Sequence, residues 1–516
     1  MRRIGQKKIH FVDFHPRLSI LQANLASALG SSKIHFVLIL LCCIVMYVFV
    51  NANLFYQLCH MEHRQLFMMD FQTLVGSWCV VGGFVRWISL FLIQFFSIPF
   101  LNVALFILPC VVTIVSGKHL FKASPLSIPL FATAAFLLLT AAFEVPDCFS
   151  SVVATCLVMT CFVGWGCRGW GWFVASLIPV WFLLGFGVLL YCAMGLCCLR
   201  WPSSVAGRWL FVSGVIAVAC LALFVWLGAA DATAPPSVLY VAWFTIVVTS
   251  VVLRLTHRCP LVGLVCCWLG CVASMGFMAW QFEYAHDIRR NQGMYLLNHL
   301  CHKGRWNDLI DIVYRHQPLG NQCYLNYAYM ALANTDRLDN EAVNFTPYNI
   351  FSLLVGNADG DADVYMLQSD VLYTIGAAGQ AHEAARLCVE ASKYGMGVQQ
   401  LLRLIETSLI MGRHDKAEQL IDKLDRTWFY RGQADAFRRL LRRDDLIAHD
   451  ARFGWRQKSW MAVQGEEGEA QWIEFIPLLA KADKDNHRAA TYARLFYVFS
   501  HDKKGLDELL RSLSPN

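Results

Sequence analysis

Ile34-His-Phe-Val-Leu-Ile-Leu-Leu-Cys-Cys-Ile-Val-Met-Tyr-Val-Phe-Val-Asn-Ala52 runs directly into Asn53-Leu-Phe-Tyr-Gln-Leu-Cys-His60-Met-Glu62-His63-Arg64-Gln-Leu-Phe-Met-Met-Asp70. The first stretch holds no Asp, Glu, Lys or Arg. Crossing about 30 Å of hydrocarbon takes roughly 20 apolar residues in a helix, so this stretch reads as a membrane-crossing helix. It begins too far into the chain for an ordinary cleaved signal peptide, and Arg2, Arg3, Lys7 and Lys8 precede it. Both features mark a retained signal anchor, with the basic leader 1–33 in the cytoplasm. The second stretch then collects ionisable groups on the far side, in a region otherwise almost free of charge.

Of 516 residues only 16% are charged, against about 25% in a typical soluble protein. The deficit is local. Between Ile34 and Phe282 lie 14 charged residues, and between Glu283 and Asn516 lie 59. The expected class is therefore all-α, with a polytopic helical membrane domain over 34–282 and a soluble helical domain over 283–516. Apolar runs at 34–52, 98–115, 126–143, 149–166, 172–199, 209–227, 237–253 and 261–282 give about eight spans. The piece 74–97, broken by Gly82-Gly83 and carrying Arg86, reads as re-entrant or interfacial. The run 172–199, with Gly185-Phe-Gly187 near its middle, is one tilted helix or two half-helices turning at the glycines. The second choice places Arg200, Arg208, Arg254 and Arg258 in the cytoplasm, as the positive-inside bias prefers, and sends the C-terminal domain outside.

The net charge of +6 arises ahead of residue 283; the soluble half is slightly acidic. Nucleic-acid binding, which needs a concentrated basic face, is excluded. Most of the 20 cysteines lie in the membrane half, where they act as small apolar packers. Cys301, Cys323 and Cys388 form no disulfide framework.

In the soluble half, apolar residues recur at helical spacing. Gly412 precedes Ala417, Leu420, Ile421 and Leu424; Gly379 precedes Ala384, Leu387, Cys388 and Ala391 at the same offsets. Gly304 and Gly505 open related units, and 336–360 and 444–468 interrupt them. Helix, glycine turn and helix with a period near 34 residues is the tetratricopeptide pattern, here degenerate. Such stacks present a concave face that binds proteins or peptides, so a protein partner is expected there.

The stretch after the first span is the leading candidate site. Glu62 is suited to act as a base, with His63 or His60 assisting and Asp70 as a second acid; Arg64 and Arg86 would balance substrate charge. The acids Asp359, Asp361, Asp363 and Asp370 loosely match a calcium loop, but Val364 and Asp370 replace its required Gly and Glu, and capping of the helix that follows explains them. His299-Leu-Cys301-His302 lacks a second ligand pair for zinc, and Gly164-Trp-Gly166-Cys-Arg-Gly169 follows no strand. No metal site and no cofactor are identified.

Phe91-Leu-Ile-Gln94-Phe-Phe-Ser-Ile-Pro99, the group Glu62 with Gln65-Leu-Phe67, and Ile421-Asp-Lys-Leu-Asp-Arg-Thr-Trp-Phe429-Tyr430 resemble an uncharacterised family of Bacteroidota membrane proteins, a domain of unknown function. The resemblance implies several spans, a tetratricopeptide-like tail, an inner-membrane location and a periplasmic C-terminal domain. It implies no activity, and whether the chain is an enzyme stays open. The first reading is an inner-membrane protein whose repeats bind or organise an envelope partner. The alternative rests on similarity to membrane glycosyltransferases of the C superfamily, which carry an acidic first external loop. That similarity implies a polyprenyl-linked sugar donor, a divalent cation as a possible cofactor, and Glu62 or Asp70 as the loop acid.

Overall fold

The computed structural model describes residues 32–121, 127–144, 149–199, 237–255, 286–316, 321–345, 349–356, 360–393, 395–464 and 472–513, with residues 269 and 276. The leader residues 1–31, the candidate span 209–227, the candidate span 261–282 apart from residues 269 and 276, and Asp359 lie outside the described residues. Among the described residues the secondary structure is helical throughout, with no strand. Among the described residues three helices are long and apolar enough to cross a membrane: Lys33–Asn53, Leu101–Leu120 and Phe149–Arg168. Gly83–Ser97, Ser127–Thr140, Trp170–Leu184, Gly187–Cys198 and Leu239–Arg254 are apolar but shorter.

The chain divides into two compact units. The first comprises Met1–Ala52, Val80–Arg86 and Ala104–Ala285. In it the run 172–199 is two helices, Trp170–Leu184 and Gly187–Cys198, packed on one another. Gly185 breaks them with φ of 55°, a left-handed conformation that glycine adopts without steric cost. The break also admits a close backbone approach: Gly82 N–H donates to the Phe182 carbonyl at 2.9 Å, and a Cβ on Gly185 would stand 3.2 Å from Gly82 Cα. Helix Gly187–Cys198 packs further on Phe149–Gly164 and Ser237–Leu255. Tyr191 stacks on Phe173 with centroids 5.0 Å apart, and its hydroxyl meets Ser176 Oγ at 2.6 Å.

The second unit comprises Asn53–Cys79, Trp87–Val103 and His286–Asn516. Thus 53–79 and 87–103, although they follow the helix Lys33–Asn53, fold with the C-terminal half. That half is a series of helical hairpins. Ala362–Ile375 pairs with Ala378–Ala391, Val398–Ile410 with His414–Asp425, and His487–Phe499 with Lys503–Leu513. Six turns between helices each hold one left-handed residue: Gly304, Asp336, Gly376, Gly412, Arg442 and His501. At five of them the next N–H reaches the carbonyl five residues back: Arg305 to Leu300, Arg337 to Leu332, Ala377 to Leu372, Arg413 to Ser408 and Asp502 to Tyr497, at 2.8 to 3.0 Å. This is the Schellman closure of a helix C-terminus.

Two glycines expected at turns lie inside helices instead. Gly379 falls in the first turn of Ala378–Ala391, where the missing side chain makes room for the Trp460 ring. Gly505 lies within Lys503–Leu513 against Tyr497. One apolar core runs from Leu297 to Leu509. Inside it Arg403 pairs with buried Asp370 at 2.8 Å, and Arg403 and Arg456 stack on the Tyr373 ring, 3.7 and 4.1 Å from its centroid.

Candidate functional site

The stretch after the first span-length helix is largely a helix, Phe55–Arg64, and Gln57 through Glu62 are buried along it. Its partners are the C-terminal helices Val398–Ile410 and His286–His302 and the 3-10 turn Gln94–Ser97. A short amphipathic helix has little stability of its own; here tertiary pairing supplies it. His60 Nε2 lies 3.2 Å from Asp363 Oδ1, and Arg64 donates to Asp363 Oδ2 at 3.5 Å. Burial opposes ionisation of Asp363, but His60 and Arg64 outweigh it and hold the carboxyl well below the usual range. The His60 ring also packs on Tyr295, centroids 4.5 Å apart.

Glu62 is 1% exposed. Tyr430 donates its hydroxyl to Glu62 Oε1 at 2.6 Å. The second oxygen, Oε2, is buried without a hydrogen-bond partner, and its neighbour is His63 Nδ1 at 3.7 Å. Burial pushes the Glu62 carboxyl up to about 7, against the opposing pull of the Tyr430 hydroxyl and Lys303. His63 moves the other way, well below its ordinary value, through burial and the nearby His302, His60, His299 and Lys303. Its ring lies 5.3 Å from that of His302. The arrangement therefore sets a proton-binding carboxyl beside a neutral imidazole.

Glu62 lines a partly open recess with Gln65, Leu66, Phe67, Gln94, Val398, Thr427, Trp428, Phe429 and Tyr430. Its empty volume is about 220 Å³, open solvent included, with room for about one water molecule. Gln94 is 8% exposed, and its Nε2 has no hydrogen-bond partner among the described residues. Buried polar atoms are nearly always paired. Glu62 Oε2 and Gln94 Nε2, an acceptor and a donor without partners among the described residues, belong to two residues that line the same recess.

The other expected residues are placed differently. Asp70 does not line the recess: it caps helix Phe71–Trp78 by accepting from Thr73 N–H, and Arg426 donates to its second oxygen at 3.4 Å. Arg86 belongs to the first unit, where its side chain is exposed and its N–H donates to the Gly82 carbonyl at 3.2 Å. Asp361 caps helix Ala362–Ile375, Asp363 and Asp370 are held in the pairs described, and no group of three or more His, Cys, Asp or Glu suited to a metal is gathered among the described residues.

Sequence reasoning missed Tyr430 and Gln94 as site residues, and Asp363 as an anchor. The signal for Tyr430 was the run Trp428-Phe429-Tyr430, three aromatics in a charged region. The profile of a family of unknown function, DUF6057, matches residues 31–514. The chain belongs to this family. No curated protein and no solved structure is similar to it. The DUF6057 match covers both compact units, and the three stretches that first suggested a family, around Glu62, Gln94 and Tyr430, are the ones that wall the recess.

Proposed function

We propose that this DUF6057 member is a polytopic inner-membrane protein in which Glu62 is the acid–base residue of a site for a hydroxyl group or water. The reaction class is group transfer to that oxygen. The carboxylate takes the proton as the oxygen bonds to the transferred carbon, and the leaving group departs with its bonding electrons. The observation that carries this reading is the Glu62 carboxyl itself: the residue lines an open recess, Tyr430 holds one of its oxygens, and the other is buried with no hydrogen-bond partner among the described residues. A general base works best with a proton affinity near the operating pH, and burial brings Glu62 to about 7. Transfer of a sugar from a polyprenyl-linked donor is the member of this class that the architecture suggests. The three span-length helices support the membrane location, and the basic leader supports a cytoplasmic N-terminus. Because helix Phe55–Arg64 pairs with Asp363 and Tyr430, residues 54–100 and 286–513 share one side of the membrane, the periplasmic one in this reading.

The test compares a deletion strain carrying the wild-type chain, Glu62→Gln or Tyr430→Phe, with lipid-linked saccharides and envelope glycans profiled by mass spectrometry. Glu62→Gln is expected to accumulate normally in the membrane and to reproduce the deletion profile. A wild-type profile from Glu62→Gln, or an unchanged profile in the deletion strain, overturns the transferase.

A second reading is carried by the hairpins. Their Schellman-closed turns support a degenerate tetratricopeptide-like array, and its first ligand is this chain's own helix Phe55–Arg64. An envelope protein partner would use the faces which that helix leaves open. In-cell crosslinking from exposed Glu390 or Asp435 is expected to capture one defined protein; capture of none removes this reading.

A further inference from the structure

The second unit exposes an apolar surface that extends beyond the recess. Helix Phe71–Trp78 turns Phe71, Val75 and Trp78 outward, at one helical face, with exposures of 77%, 43% and 45%. Phe100 is 74% exposed, and Trp428 and Phe429, in the C-terminal half, are 51% and 41% exposed. Trp78, Trp428 and Phe429 belong to one ridge of ring contacts, and Phe71 and Val75 share the helix face of Trp78. Trp78 meets Trp87 edge-on at 6.4 Å, Trp87 stacks on Phe91 at 6.0 Å, Phe91 reaches Trp428 at 6.5 Å, and Phe95 meets Phe429 at 5.3 Å. The pair Asp70–Arg426 stands on its border, and the Met69 N–H donates to the Arg426 carbonyl at 2.9 Å. Contiguous apolar surface with a polar rim on a folded unit marks an interaction site.

Resting on the membrane reading above, we propose that this ridge lies in the headgroup layer of the same bilayer, so that the C-terminal half touches the membrane through Trp428 and Phe429. The chain's continuity names the occupant. Residues 54–100 are bracketed by two span-length helices, Lys33–Asn53 and Leu101–Leu120, and neither Phe71–Trp78 nor Gly83–Ser97 is long enough to cross. The segment is thus tied at both ends to one membrane face, and it carries the ridge with it. Trp and Phe with an apolar body and a polar border are the side chains that settle at that depth. Trp428, Phe429 and Phe67 serve both the ridge and the recess. The recess therefore opens at the headgroup level, and the polar group it receives is the head of a membrane amphiphile rather than a freely dissolved solute.

The experiment replaces Phe71, Trp428 or, as a control, the highly exposed Asp415 with a diazirine-bearing amino acid, one at a time in the full chain. The protein is reconstituted into phosphatidylethanolamine–phosphatidylglycerol vesicles, irradiated, and its lipid adducts are counted by mass spectrometry. Interfacial burial predicts on the order of tenfold more lipid adduct from Phe71 and Trp428 than from Asp415. Equal yields, or adducts to a second protein chain alone, overturn the proposal. An alkaline carbonate wash separates the two readings. Release of the chain from membranes overturns the membrane reading and the ridge with it; retention with equal adduct yields overturns the ridge alone.

Discussion

In the first unit the hydroxyls of Thr133 and Thr140 donate to carbonyls three residues back, and those of Thr113 and Ser250 to carbonyls four back. In the second unit Glu62 is bonded to Tyr430, His60 to Asp363, and Asp370 to Arg403. One unit satisfies many of its buried polar atoms within a turn of the helix that carries them. The other adds ionisable partners 33 to 368 residues away in the chain. A hydroxyl bonded to its own helix can be lost at little cost, whereas a buried charge that loses its partner leaves an unsolvated ion. The second unit is therefore where single polar substitutions bite, and where unpaired atoms carry meaning.

Asp370→Ala puts the sharpest strain on this contrast. It takes from the mostly buried Arg403 one of its two carboxylate partners, leaving Glu406 at 3.1 Å, and is expected to cost about 3 kcal/mol, read as a large fall in the thermal midpoint of the purified chain. Glu62→Gln comes next and depends on pH. The folded carboxyl binds its proton up to about pH 7, above its ordinary range, so its favourable contribution is complete at acid pH and is lost as pH rises through 7. The variant carries no such penalty. Between pH 5 and pH 8 its stability relative to wild type should rise by about 2–3 kcal/mol; a parallel pair of pH profiles would show that Glu62 is already deprotonated at low pH.

Tyr430→Phe removes the only hydrogen bond found to Glu62 Oε1 among the described residues. It should cost about 1–2 kcal/mol and raise the pH at which the carboxyl titrates, followed by its infrared carbonyl band. Thr140→Val, in the first unit, should change stability by less than about 0.5 kcal/mol. If it costs as much as Asp370→Ala, the contrast between the units is wrong.

Much of the architecture was legible because helices and apolar spans write themselves locally. The charge boundary near residue 283 and the turns at Gly304 and Gly412 needed only neighbouring residues. The break at Gly185 was one of two open choices. The remaining turns were hidden for a physical reason. Asp336, Arg442 and His501 take the left-handed position without being glycine, and Gly379 drew attention from Gly376, three residues earlier, which has φ of 90°.

At the site, Glu62, His63 and Arg64 stood out because charge is scarce around them. Asp363, Gln94 and Tyr430 did not, since nothing in their own neighbourhoods records that helix Phe55–Arg64 would be laid against them. Nor did the sequence reveal that 53–79 and 87–103 join the C-terminal half; that membership is created by pairings whose sequence separation reaches 368 residues.

This separation has a temporal side. A ribosome adding about 5–20 residues per second makes helix Phe55–Arg64 well before it makes Asp363 and Tyr430, which lie 303 and 368 positions further along than His60 and Glu62. For an interval on the order of 15–75 s, Glu62, His60 and Arg64 wait on a tethered segment with no partner yet synthesised. During biogenesis the segment must be kept solvated or guarded by another factor, and a chain truncated before residue 430 would leave it in that state permanently, exposed to whatever surveillance the cell directs at incompletely folded chains.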